Sequence, residues 1–219
     1  MEWMIDTANL EEIRQALEVF PVEGVTTNPT ILKAEWPMKY DEHLRAIRAL
    51  CGQRTLHVQL GSDTWQGMVE EAERIRQMID RDVYLKIPVT EEGLHAIRVL
   101  AARGVHATAT AIYYPLQGML AVSAGADYLA PYCNRMENNE IDFGKAISQI
   151  RHMIDRDGYK AKILAASFKH AGQVTKAIDC GAHAVTVQPA LLRGVLGSAL
   201  VTDAVRTFNA HNALVTGKA

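Results

Sequence analysis

The chain alternates eight short β-rich segments with longer amphipathic segments along its whole length. The strand-like segments are residues 3–7, 24–28, 56–60, 83–89, 106–112, 128–134, 162–168 and 184–188. Between them, apolar residues recur at three- and four-residue spacing, which is typical of helices that pack on one face. Gly104, Gly125 and Gly181 each end a helical segment just before the next strand, which suits a helix C-cap.

Eight strand–helix units predict an α/β fold of the (β/α)8 TIM barrel type, as a single domain over residues 1–219. An extra C-terminal helix is expected at about residues 198–213. The barrel would be compact, because this fold usually needs about 250 residues. The alternative is an open doubly wound sheet, which is disfavoured by the number of units and by the lack of a GxGxxG motif after the first strand.

Composition points to a small-molecule partner. The net charge is −2 and the 23 Lys and Arg residues are dispersed, so no nucleic acid partner is expected. The N-terminus lacks the pattern of a signal peptide, and no apolar run approaches the length of a membrane span. Cys51, Cys133 and Cys180 lack CxxC spacing, which favours reduced thiols in the cytoplasm. The histidines form no HxxxH or His–Cys cluster, so no metal is expected.

The segment DVYLKIPVT contains a lysine inside what is otherwise the pattern of a buried strand. Lysine is rarely buried, because an unpaired ammonium group is costly to remove from water. Side chains alternate along a strand, so Lys86 shares one face with Tyr84, and Val83, Leu85 and Ile87 share the other. The alternation therefore predicts that Lys86 points into the barrel.

Other strands show the same division between an aliphatic and a polar face. The polar face carries Asp6, Thr26, Asn28, His57, Gln59, Thr108, Thr110, Tyr132 and Asn134. These residues cluster toward the C-terminal ends of their strands, where barrel enzymes have their active sites. A purely structural barrel would fill its interior with Val, Ile and Leu, so the polar set indicates a functional site.

Lys86 and Asp6 form the central pair of this predicted site, and they have two interpretations. One is a buried structural ion pair. The other is an amine nucleophile that forms a Schiff base with a ketone or aldehyde, which requires desolvation because an ordinary lysine has a pKa near about 10.4. A carboxylate nearby would oppose that shift, so Asp6 is better interpreted as a residue that orients groups and shuttles protons. The pattern alone leaves both interpretations open.

Five segments resemble the motifs of the small transaldolase and fructose-6-phosphate aldolase family. They are IDTAN, GVTTNPTI, KIPVTEEGLHAI, LAPYCNR and ILAASFK, and together they extend over nearly the whole chain. The resemblance implies a (β/α)8 class I aldolase that uses no cofactor and no metal. It places the Schiff-base lysine at Lys86, the strand-one aspartate at Asp6, and the threonine and asparagine of the TTNP motif at Thr26 and Asn28.

Two positions separate the branches of this family. Transaldolases carry glutamate in strand three and phenylalanine in the strand-six motif, whereas this chain has Gln59 and Tyr132, as the aldolases do. In the aldolase branch the tyrosine acts as acid and base, with a water held by Gln59 and Thr110. The resemblance thus predicts cleavage of fructose 6-phosphate to dihydroxyacetone and glyceraldehyde 3-phosphate. A transaldolase and a non-catalytic sugar-phosphate-binding barrel are the alternatives.

The resemblance also implies the partners. Arg135 and Ser167 match residues that hold the substrate phosphate, and Lys169 lies beside them, so a sugar phosphate and a hydroxyketone are the expected ligands. The segment MENNEIDFGKAI departs from the Gly-rich acidic loop of the aldolases, so a sugar with another terminal anion, such as a sulfonate, stays open. The family's last helix reaches a neighbouring subunit, which implies a homo-oligomer, a pentamer or decamer, although the usual tryptophan is missing here.

Overall fold

A computed structural model describes residues 1–217, and it confirms the predicted barrel. Eight parallel strands close into one sheet in chain order, with β8 paired to β1. The strands are β1 Glu2–Asp6, β2 Gly24–Thr26, β3 Thr55–Gln59, β4 Tyr84–Pro88, β5 Ala107–Ile112, β6 Tyr128–Pro131, β7 Lys162–Ala165 and β8 Ala184–Val187. Because β8 pairs with β1, the open doubly wound sheet is wrong.

Helices surround the barrel and connect its strands. They are α1 Leu10–Val19, α2 Pro29–Ala34, α3 Tyr40–Cys51, α4 Trp65–Met78, α5 Glu91–Ala102, α6 Pro115–Ala124, α7 Cys133–Glu137, α8 Phe143–Asp157, α9 Ala171–Asp179, α10 Pro189–Leu196 and α11 Ala199–Val215. The last of these confirms the expected extra C-terminal helix. No helix within residues 1–217 has the length and apolar character needed to cross a bilayer.

The aliphatic face of each strand packs under the outer helices, as predicted. Ile5, Val25, Val58, Leu85 and Ile87 are fully buried in the core between the sheet and the helices. Burial of such side chains contributes about 1.5–3 kcal/mol each, so this layer holds the barrel together. The side chains on the other face of each strand point into the barrel and are therefore available for binding or catalysis.

The lower half of the barrel interior, toward the N-terminal ends of the strands, is aromatic and polar. His57 stacks on Tyr84 with ring centroids 4.8 Å apart, and Tyr128 meets both rings edge-on. Met4 and Leu164 pack beside Tyr128 in the same small cluster. This layer closes the barrel below Lys86, so the open end lies at the C-terminal ends of the strands.

Seven of the eight strands end earlier than the sequence predicts, and β6 and β7 differ most, by three residues each. β6 ends just before a short helix begins. Pro131 is its last residue, Tyr132 forms one isolated bridge to Ala166, and Cys133 begins α7. The chain turns here because the Cys133 and Asn134 amides donate to carbonyls beyond the end of β7. The predicted alternation at Asn134 is therefore wrong, since this residue lies in a helix.

Candidate active site

Lys86 lies inside the barrel with only 6% of its surface exposed, as predicted. Lys86 points inward because side chains alternate along β4, and its neighbours Leu85 and Ile87 face the outer helices. Its Nζ donates a 2.7 Å hydrogen bond to the carbonyl oxygen of Thr27. Burial lowers the pKa of Lys86, with Asp6 acting in the opposite direction. Desolvation therefore favours the neutral amine, which is the nucleophilic form.

Asp6 lies near Lys86 without forming a direct ion pair with it. None of the ion pairs within 4.0 Å that join residues 1–217 includes Lys86. Thr26 Oγ1 donates to Asp6 Oδ1 over 2.7 Å and lies 2.7 Å from Thr186 Oγ1. Burial raises the pKa of Asp6, against the effects of Lys86 and Thr26. Both members of the pair thus shift toward their neutral forms, as a proton-transfer pair requires.

Tyr132 is positioned by Thr110, whose Oγ1 donates to the Tyr132 hydroxyl oxygen over 2.9 Å. An irregularity in β5 supports this contact. Ala109 pairs with Leu129 and Ile112 pairs with Pro131, so β5 has one extra residue, and Ala111 adopts a φ of 58°. Such bulges redirect side chains at barrel rims. With Thr110 as donor, the phenol's own proton is free to face a substrate.

Gln59 is the last residue of β3. Its Oε1 is buried and accepts no hydrogen bond from residues 1–217. A buried acceptor without a protein partner is costly unless a ligand or water binds it, so this atom is a ready ligand contact. Below it, His57 is fully buried and its Nδ1 lies 2.8 Å from Thr108 Oγ1. Burial, with the charge of Lys86, lowers the pKa of His57 to about 3, so the imidazole is neutral.

The predicted residues meet in one cleft of about 440 Å³ at the C-terminal end of the barrel. Asp6, Asn28, Gln59, Lys86, Tyr132, Arg135, Ser167 and Lys169 line it. Thr26 and Thr110 lie directly behind, in contact with Asp6 and Tyr132. The volume is that of a small-molecule site. Within residues 1–217, no group of three or more His, Cys, Asp or Glu side chains is arranged to hold a metal ion.

One end of the cleft carries the positive charge. Arg135 is exposed and lines the cleft, and Ser167 and Lys169 line it from the segment that follows β7. The Ser167 carbonyl accepts from the Asn134 amide over 2.8 Å, so this segment lies beside α7. Ser167 adopts a φ of 63°, which is uncommon for a residue other than glycine and is found at functional sites. At the other side, Asn28 caps α2 by accepting from the Ile31 amide over 3.0 Å. The arrangement suits a substrate with an anionic end.

Sequence reasoning missed several residues that line or support this cleft. Thr186 and Gln188 line it, and they alternate against Val185 and Val187 in the last strand, so the same parity signal would have found them. Phe168 also lines the cleft. It follows the end of β7, where strand alternation no longer applies, so no local signal marked it.

Comparisons with known proteins identify the family to which the chain is similar. The family model described as Transaldolase/Fructose-6-phosphate aldolase matches residues 3–217. A protein of Streptococcus pneumoniae named "Probable fructose-6-phosphate aldolase" is 45% identical over 210 residues, which is 95% of this chain and 95% of that protein.

Proposed function

The chain belongs to the transaldolase/fructose-6-phosphate aldolase family, and from this premise we propose that it cleaves and forms fructose 6-phosphate through a Schiff base on Lys86. The products of cleavage are dihydroxyacetone and glyceraldehyde 3-phosphate. The observation that carries the proposal is a buried lysine without an ion pair, with a lowered pKa, in a cleft that also holds Tyr132. We further propose a cytoplasmic location, which suits three unpaired cysteines.

Imine formation uses the neutral Lys86 amine. Its lone pair attacks the C2 carbonyl carbon of the ketose, and the carbonyl oxygen takes up a proton. Asp6 lies close enough to influence Lys86 and is hydrogen-bonded by Thr26. Its raised pKa lets it hold a proton and pass it to the leaving hydroxyl, so that water departs and the protonated imine forms. The imine then accepts the electron pair of the bond that breaks.

Carbon–carbon cleavage requires a base at the C4 hydroxyl, and Tyr132 takes this role. Removal of that proton sends the C3–C4 bonding electrons to the imine, which gives an enamine and glyceraldehyde 3-phosphate. In the synthetic direction Tyr132 returns the proton to the new C4 oxygen. The Thr110 donor leaves the phenol proton free for this transfer. Protonation of the enamine at C3 and hydrolysis then release dihydroxyacetone, with Gln59 and Thr110 holding the water.

The anionic end of the substrate is held by Arg135, Ser167 and Lys169. We expect Arg135→Gln to raise KM for fructose 6-phosphate about 10- to 100-fold, because hydrogen bonds to charged groups are the strong ones. Ser167→Ala removes one neutral donor and should raise KM only a few-fold. Steady-state kinetics measures both. An unchanged KM in Arg135→Gln would place the phosphate elsewhere, and a sulfonate analogue of the substrate tests whether the anion must be phosphate.

A transaldolase is the second candidate, since the family description includes that activity. Gln59 and Tyr132 favour the aldolase, because the transaldolase branch uses a glutamate and a phenylalanine at these positions. The experiment incubates the enzyme with fructose 6-phosphate, with and without erythrose 4-phosphate as acceptor, and measures free dihydroxyacetone. An aldolase releases it without acceptor. Sugar transfer only in the presence of acceptor would instead show a transaldolase.

The third interpretation, a non-catalytic barrel with a structural ion pair at Lys86, is wrong. It requires a direct partner for the ammonium group, and no ion pair within residues 1–217 contains Lys86. The only hydrogen bond that Lys86 Nζ makes to these residues goes to the neutral carbonyl of Thr27. Family membership agrees with an enzyme.

We also propose that the protein is a homo-oligomer whose contacts include α11. No residue of this helix is buried in the single chain, and even its large apolar side chains face solvent: Leu200 is 85% exposed and Phe208 is 67% exposed. Exposed apolar patches of this kind mark interaction surfaces. Phe208→Asp should shift the protein to smaller species in light scattering coupled to size exclusion, whereas Asn209→Asp, on another face of the helix, should not. An unchanged mass in Phe208→Asp would contradict this interface.

A further inference from the structure

Arg135 contacts the proposed acid–base residue directly. Its Cζ lies 4.9 Å from the centre of the Tyr132 ring, over the face of the ring. Tyr132 is the N-cap of α7 and Arg135 lies within this helix, three positions later. Residues three apart are neighbours on a helix surface, so the short helix itself brings the two together. A guanidinium over an aromatic face is an attractive arrangement. Arg135 therefore has a partner in the catalytic machinery as well as a place at the anion end of the cleft.

Tyr113, in the segment after β5, contacts both Arg135 and Tyr132. Arg135 Nη1 donates to the Tyr113 hydroxyl over 3.5 Å, and the Tyr113 ring meets the Tyr132 ring edge-on at 5.9 Å. Through these contacts Tyr113 braces both residues.

We propose that Arg135 is a positioning residue for Tyr132, held by Tyr113, and that an anion bound to Arg135 changes the acidity of the Tyr132 hydroxyl. This inference rests on the proposed function, and it adds a link between the two ends of the cleft. The guanidinium charge stabilises the phenolate form of Tyr132. A bound phosphate neutralises that charge and withdraws the guanidinium toward itself, so Tyr132 then keeps its proton more firmly.

The charges around Tyr132 support this direction. The titratable and charged groups that face it or share its cleft are Asp6 from β1, Lys86 from β4, Tyr113 after β5, Arg135 from α7 and Lys169 after β7. Burial raises the pKa of Tyr132, and the Thr110 hydrogen bond and then Arg135 oppose that rise. Among the cations, Arg135 is the one that lies over the ring.

The link has a consequence for aldol synthesis. The incoming aldehyde needs a proton on its oxygen as the new bond forms, and Tyr132 supplies it. When the aldehyde carries a phosphate, the phosphate binds Arg135 and Tyr132 stays protonated, ready to donate. When the aldehyde is neutral, the Arg135 guanidinium stays over the Tyr132 ring and favours the phenolate, which cannot donate a proton. Discrimination against neutral aldehydes then appears in kcat at alkaline pH as well as in KM.

The test titrates Tyr132 directly in full-length protein labelled with 3-fluorotyrosine, by fluorine NMR, with the Tyr132→Phe spectrum identifying its resonance. Inorganic phosphate is the probe. In the wild type, phosphate should move the Tyr132 midpoint up by about half a pH unit, the size of an exposed cation–π contact. Arg135→Gln should start at the higher midpoint and show no response to phosphate. Tyr113→Phe, which removes only the bracing hydroxyl, should give an intermediate midpoint.

Lys169→Gln is the matched control, because it removes a cation from the same cleft without touching the Tyr132 ring. In the absence of phosphate, its Tyr132 midpoint should equal that of the wild type. The proposal is overturned if Arg135→Gln leaves the midpoint unchanged, or if both variants move it equally. The titration involves no turnover, so a failure of the aldolase assay and a failure of this link give separate results.

Discussion

Replacing Lys86 by methionine is expected to lower kcat/KM for fructose 6-phosphate cleavage by about four orders of magnitude or more, as for other enzymes that lose their nucleophile. Methionine has a similar length and fills the same space, but it has no amine to form the imine. Lys86→Arg should be equally inactive, because its guanidinium stays protonated and is not a nucleophile. The assay couples glyceraldehyde 3-phosphate formation to its oxidation. Activity above about one per cent in either variant would show that another group is the nucleophile.

Stability measurements separate this loss of activity from unfolding. Burial lowers the pKa of Lys86 in the folded protein. The unfolded chain therefore binds that proton more readily, and wild-type stability falls as pH falls from the amine's ordinary pKa toward its lowered value. Lys86→Met removes this contribution, so its unfolding temperature should be at least that of the wild type, with the largest difference at the lower pH. A clear drop in unfolding temperature would mean that the amine stabilises the fold.

Tyr132→Phe is expected to lower aldol activity about 100- to 10,000-fold, the usual contribution of a positioned acid or base. The ring and its packing against Tyr113 remain, and only the hydroxyl that accepts from Thr110 is lost. Imine formation at Lys86 should persist, because it depends on the amine and Asp6. Rapid-quench measurement of the imine, beside steady-state turnover, distinguishes the two steps.

The matched variant for this experiment is Thr110→Val, which keeps the shape of the side chain and removes the donor to Tyr132. It should lose less activity than Tyr132→Phe, and its pH profile should move up, because a hydrogen bond that lowers the pKa of Tyr132 is gone. Turnover in Tyr132→Phe equal to that of the wild type would remove the tyrosine from the acid–base role.

Alternation within strands made much of this site predictable. Lys86, Asp6 and Gln59 lie inside the barrel because their neighbours are aliphatic and pack under the helices. The family motifs then added residues beyond the strand ends, such as Arg135 and Ser167, which strand periodicity does not reach. Both kinds of signal are local in the sequence, and a parallel barrel brings all C-terminal strand ends to one face.

What the sequence could not predict depends on contacts between distant segments. The extra residue in β5 at Ala111 depends on pairing with β6, and the early end of β6 depends on carbonyls beyond β7. Likewise, Tyr113 lies beside Arg135 because the segment after β5 and helix α7 meet only in the fold. Thr186 differs, because its alternation against Val185 and Val187 is visible in the sequence of the last strand.

Trapping of the imine tests the central claim most directly. The enzyme is incubated with dihydroxyacetone and borohydride, which reduces the imine carbon–nitrogen double bond to a stable secondary amine, and the digest is mapped by mass spectrometry. The account predicts one adduct, on the peptide that contains Lys86, in the wild type and in Tyr132→Phe but not in Lys86→Arg. A folded wild-type protein without an adduct at Lys86, or with its adduct on Lys169, would contradict it.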